Sequence, residues 1–63
     1  MESIKRYFTC ACVAPVKVGN QDKFVVYSDD SSCALILGMG DTTEQAIANG
    51  VHTVNLMAAV GSI

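Results

Sequence analysis

Sixty-three residues, half of them hydrophobic (51%) and only 16% charged, allow one small domain, 1–63, and little interior in which to hide its apolar side chains. A chain of this length buries only about 60% of the surface that its unfolded form exposes, so part of the apolar content is expected at an interface with another polypeptide. The net charge of −2, with four Lys and Arg in all, supplies no basic stripe for phosphates, which argues against nucleic acid and against an anionic lipid surface.

The N-terminal "MESIKRYFTCACVAPVKVG" has basic residues ahead of a semi-apolar stretch, but Thr9 and Lys17 interrupt it. It is therefore expected to belong to the fold rather than to act as a leader. No apolar run approaches the ~20 residues that span a bilayer. Three cysteines, an odd number, argue against a closed disulfide framework and for a reducing cytoplasm.

Arg6 to Val18 is rich in β-branched and aromatic residues and reads as a first strand. Alternation puts Phe8, Cys10 and Cys12 on one face and Tyr7, Thr9, Ala11 and Val13 on the other. Both faces are mostly apolar, so the strand is expected to be covered on two sides. Pro15 donates no ladder hydrogen bond, so the strand ends there, bulges or lies at an edge. "VGNQDK" is a turn in which Gly19 and Asn20 tolerate positive φ and Asp22 bonds its own backbone.

"KFVVYS" is the second strand and "SDDSS", Ser28 to Ser32, a polar loop in which Asp29 and Asp30 form the turn. "CALILGMG" is a short uncharged run with the pattern of a third strand, broken by Gly38 and Gly40. Thr42 is the expected N-cap of the following helix, with Gln45 reaching back in a capping box and Glu44 at the positive end of the dipole. Ile47, Gly50, Val51, Val54, Met57 and Ala58 form the stripe that packs on the sheet, with Gly50 allowing a close helix–strand approach. Leu56 and Val60 point the other way with Asn49, His52 and Thr53, and "GSI" ends the helix. The fold class is α+β: a three-stranded antiparallel sheet, β-β-β-α, with one helix packed on one face.

Little here carries chemistry. Cys10, Cys12 and Cys33 with His52 could make a Cys₃His zinc site, but no C-x-x-C knuckle is present, and buried small hydrophobes are the default for such cysteines. No cofactor or metal is expected. No signature surrounds a nucleophile, and a pocket of ~300 Å³ would take most of so small a core, so no enzyme is expected. "SDDSS" lacks the ligand spacing of a calcium loop. Asp41 and Glu44 would repel an anion at the "GMG" turn. A three-stranded sheet does leave two edges of unpaired backbone groups, and the uncharged third strand invites pairing with a second copy or another protein.

"GDTTEQAIANGVHTV", Gly40 to Val54, resembles the "GDT-x-EEAL-x-NA" helix start of HicB-like antitoxins, with Gly40, Asp41, Thr42, Glu44, Ala46, Ala48 and Asn49 in register. The strands "RYFTCACV", "KFVVYS" and "CALILG" precede it in the order of that family's partial RNase H-like β-β-β-α domain. The resemblance implies a non-enzymatic module that dimerises through its sheet and neutralises a small toxin ribonuclease. A phage or mobile-element protein that inhibits a host enzyme or defence protein would have the same short, weakly charged character. The expected contact surface is Asp29, Asp30, Leu35 and Leu37 with His52 and Leu56 on the outer helix face, in a protein that forms a homodimer.

Overall fold

The computed structural model describes residues 1–30 and 33–62, and the side chains of Asp30 and Cys33 lie outside that description. The elements run α1 (Glu2–Lys5), β1 (Ala11–Val18), β2 (Gln21–Asp30), β3 (Cys33–Gly40) and α2 (Thr43–Ala59). The strands form one antiparallel sheet in the order β1-β2-β3, and α2 covers one face of it.

The N-terminal segment departs from the expected long first strand. Residues 2–5 are a single helical turn, with Glu2 at its start and Lys5 at its end, and Ile4 is fully buried in the core. The amides of Tyr7 and Phe8 bond the Ile4 carbonyl, and that of Ala11 bonds the Phe8 carbonyl. Residues 6–10 are thereby held in turns, and pairing begins only at Ala11. Pro15 lies inside β1, which is an edge strand and can do without the missing amide hydrogen.

The β1–β2 hairpin closes over Gly19 and Asn20, with Val18 opposite Gln21. Only Gly19 takes a positive φ (62°), the pattern of a type II′ turn, whose twist matches that of the flanking strands. Asp22 is a strand residue rather than a turn former. The expected Ser28–Ser32 loop is shorter too. Ser28 is a buried strand residue, and Asp29 and Asp30 pair with Ala34 and Cys33. The loop positions Ser31 and Ser32 lie outside the described residues, as does Ile63.

Gly38 and Gly40 do not break β3. They let α2 approach it. A Cβ on Gly38 would lie 2.7 Å from the Ala46 carbonyl oxygen and 2.8 Å from the Gly50 Cα, and one on Gly40 would lie 2.7 Å from the Ala46 nitrogen. These contacts also fix the direction of the helix, whose first turns lie over the end of β3, so its last turns return towards the start of that strand. Ala46, Gly50 and Val54 are the buried centre of the helix stripe, with Ile47, Val51 and Met57 partly buried beside it. The stripe is thus centred on small residues at i, i+4 spacing, with Ala46 added to the expected set.

The helix ends are closed by local chemistry. Thr42 Oγ1 accepts from the Gln45 amide (3.1 Å), and Gln45 Oε1 accepts from the Asp41 amide (2.7 Å), one residue before the cap. At the other end Gly61 (φ 78°) bonds the Ala58 carbonyl, and the Ser62 amide bonds the Met57 carbonyl at 2.8 Å, a Schellman closure. Replacing Thr42 with alanine removes one capping acceptor and is expected to cost ~1 kcal/mol of unfolding free energy, read from the urea midpoint.

Candidate interaction surface

One element of β3 decides which side chains reach the surface. Val26 pairs with Gly38 and Tyr27 with Ile36, so Leu37 is an extra residue, a β-bulge. Leu37 turns into the core (3% exposed), whereas Ile36 and Met39, three residues apart, both face away from α2. An unbroken strand would have put Ile36 and Met39 on opposite faces.

Register then assigns both faces of the sheet. Ala11, Val13, Phe24, Val26 and Leu37 belong to the core under α2. The opposite face carries Cys12, Ala14, Val16 and Val18 from β1, Val25 and Tyr27 from β2, and Ile36 and Met39 from β3. No described element covers it. Ile36 is 61% exposed, and Val18 and Met39 are exposed as well. Val25 is nearly buried yet stands apart from the core cluster, flanked in register by Ala14 and Met39. The apolar character of both faces of strand one, read from sequence as two-sided cover, is present; the second cover is not within the described residues.

A second apolar area lies at one end of the molecule. Because α2 returns antiparallel to β3, its last turns come to the end of the sheet where β3 begins. Leu35 is 42% exposed near that start, and Leu56 and Val60 are exposed on the last turns of α2, at 54% and 75%. Asp29, exposed and opposite Ala34, stands at the same end of the sheet but on its uncovered face. His52 is exposed one turn back along the helix from Leu56. Of the six residues expected at a contact surface, Asp29, Leu35 and Leu56 lie at this end but on different sides of it, Asp29 on the uncovered sheet face, Leu35 on the face towards α2 and Leu56 on the outer side of the helix, with His52 a turn away. Leu37 is inside the core, on the same sheet face as Leu35 but beneath α2, where it is 3% exposed. The Asp30 side chain lies outside the described residues.

The free edge of β3 is partly closed. Asn49 Nδ2 donates to the Met39 carbonyl at 2.6 Å, occupying an edge acceptor near the end of the strand. This cap lies in the second half of β3. At the same end of the strand, the Lys23 ammonium pairs with the Asp41 carboxylate, joining β2 to the residue that follows β3.

The cysteines are not buried as expected. Cys10 and Cys12 are exposed, and the Cys12 thiol donates weakly to the Cys10 carbonyl at 3.4 Å. The start of pairing at Ala11 leaves Cys10 in a turn and aims Cys12 at the uncovered face. Among the described residues no three His, Cys, Asp or Glu side chains gather as metal ligands. Cys33, the third thiol of the zinc alternative, has its side chain outside that description. An open hollow of about 480 Å³ lies along the β1–β2 hairpin, lined by Pro15, Val16, Lys17, Asp22, Lys23 and Phe24. It is a surface feature that takes nothing from the core, and its lining includes neither a thiol nor an imidazole. Among the described residues no helix is long and apolar enough to cross a membrane.

No family model, curated protein or solved structure matches this chain.

Proposed function

We propose that this chain is a non-enzymatic, cytoplasmic protein-binding module that inhibits or neutralises a partner protein, in the manner of an antitoxin. The observation that carries the reading is the apolar end where β3 starts and α2 finishes. Leu35, Leu56 and Val60 are large and exposed at that end, and the side-chain cap on the β3 edge among the described residues, Asn49 on the Met39 carbonyl, lies at the other end of the strand. Apolar anchors beside a strand edge are what a protein partner uses, the edge for main-chain pairing and the side chains for specificity. The resemblance of Gly40 to Val54 to the antitoxin helix start supports a small toxin ribonuclease as that partner; a host enzyme inhibited by a phage or mobile-element protein is the other target class.

The test compares capture by the wild-type protein with capture by Leu35→Glu and Leu56→Glu. One protein retained by the wild type, lost with both variants and inhibited in its own activity on addition of the module is the expected result. An anchor at the centre of such a contact is worth more than ~1 kcal/mol, so each variant should weaken binding at least about fivefold. Equal retention by wild type and both variants would remove this end of the molecule from the binding surface.

A further inference from the structure

Partner binding at the β3–α2 end makes no use of the two described thiols, which the fold brings together at the surface. We infer that Cys10 and Cys12 form a two-thiolate site for a soft, filled-shell monovalent ion, Cu(I), where the N-terminal turns enter β1. Three observations carry it.

The first is position. Cys10 and Cys12 are both free and exposed, while Ala11 between them is 3% exposed and its amide bonds the Phe8 carbonyl at 3.0 Å. The buried residue is a fixed pivot, so the two thiols flank an anchored point rather than ride on a loose terminus. The second is direction. Cys12 belongs to the uncovered sheet face, yet its thiol does not simply stand up from the strand: it leans back to the Cys10 carbonyl at 3.4 Å. Residues i and i+2 of an extended chain are about 6.6 Å apart. Two metal–sulfur bonds of about 2.3 Å allow at most ~4.6 Å between the sulfurs. The lean of Cys12 shortens the gap, and rotation about χ1 of the exposed Cys10 closes the rest.

The third is the ligand count. Among the described residues no third His, Cys, Asp or Glu side chain gathers with this pair, and Cys33 belongs to β3, across β2 from Cys12. Zinc takes three or four protein ligands, and calcium and magnesium take oxygen. A pair of thiolates with nothing beside it suits a soft ion that accepts two-coordination, and thiolate selects Cu(I). Binding exchanges the two thiol protons for one ion with no change of oxidation state, so the apparent affinity rises with pH.

Competition between the full chain and a coloured Cu(I) chelator, with ascorbate and without oxygen, tests the inference. One Cu(I) per chain is expected. Cys10→Ser and Cys12→Ser should each weaken binding about a hundredfold or more, because either leaves one ligand and loses the gain of joining two. Both residues are exposed, so the circular dichroism of the two variants should match the wild type. Cys33→Ser should bind as the wild type does, and X-ray absorption at the copper edge should report two sulfur neighbours. No Cu(I) held against the chelator, a loss in Cys33→Ser equal to that in Cys10→Ser, or three or four sulfurs on the ion would overturn the inference. None of these results bears on capture through Leu35 and Leu56.

Discussion

Replacing Gly38 with alanine is expected to remove a large share of the protein's stability. The added methyl would meet the Ala46 carbonyl oxygen at 2.7 Å and the Gly50 Cα at 2.8 Å. Both are backbone atoms of α2, so neither can swing aside as a side chain would. Relief requires the helix to lift off β3, which opens the contacts around Ala46, Val54 and Val26, all fully buried. Overpacking of a tight core costs typically about 1–3 kcal/mol, and a backbone-to-backbone clash belongs at the upper end. A chain of this length has roughly 3–9 kcal/mol of stability in total, so the loss removes a large share of it. Thermal unfolding followed by circular dichroism should show a fall of ten degrees or more. Gly61→Ala is the useful comparison, since its methyl meets nothing within 4 Å and carries only the strain of φ 78°. If the two variants melt alike, close packing of α2 on β3 is not what Gly38 provides.

That pair of glycines also shows where the sequence was legible and where it was not. The order of three strands and a helix follows from alternation, turn residues and the Thr42–Gln45 cap, each a local signal, and each recurs in the structure. Gly50 was readable as a close approach because a glycine in a helix interior has a cost that packing must offset. Gly38 and Gly40 looked like strand breakers, because a strand glycine in contact with a helix and a glycine that ends a strand have the same local sequence. The bulge at Leu37 was silent for a similar reason. "ALILGM" alternates equally well in either register, and only the pairing with Val26 and Tyr27 decides that Leu37 goes inward and Ile36 outward. The surface residues divide along the same line. Leu56 is outward by helical periodicity, which is local, whereas the inward position of Leu37, expected at the contact surface as part of strand three, is set by pairing with the neighbouring strand.

The N-terminal turn is the largest feature that the sequence hid, and Ile4 carries it. Four helical residues are too few for a hydrophobic period, so nothing distinguishes "ESIK" from a disordered start. Yet Ile4 is fully buried, and its Cδ1 would lie 2.9 Å from a Cβ on Gly50. It therefore fills the space above the one residue of α2 that has no side chain to offer. Ile4→Ala should cost about 2–5 kcal/mol, the range for truncating a fully buried aliphatic residue, measured by urea unfolding at 25 °C. A loss below about 1 kcal/mol would mean that the N-terminal turn is not docked in solution. The partner of this prediction is Gly50→Ala. On its own it gains ~1 kcal/mol of helix propensity but pushes against Ile4 Cδ1, the movable end of a side chain, and so should be close to neutral. Combined with Ile4→Ala, the new methyl enters the vacated space and nothing opposes it, so the double variant should be more stable than the sum of the single effects by about 0.5–1 kcal/mol or more. Strict additivity would show that Ile4 and Gly50 do not touch. A positive coupling ties the first five residues to the centre of the helix, and through Gly38 to the strand whose outer side chains form the open face.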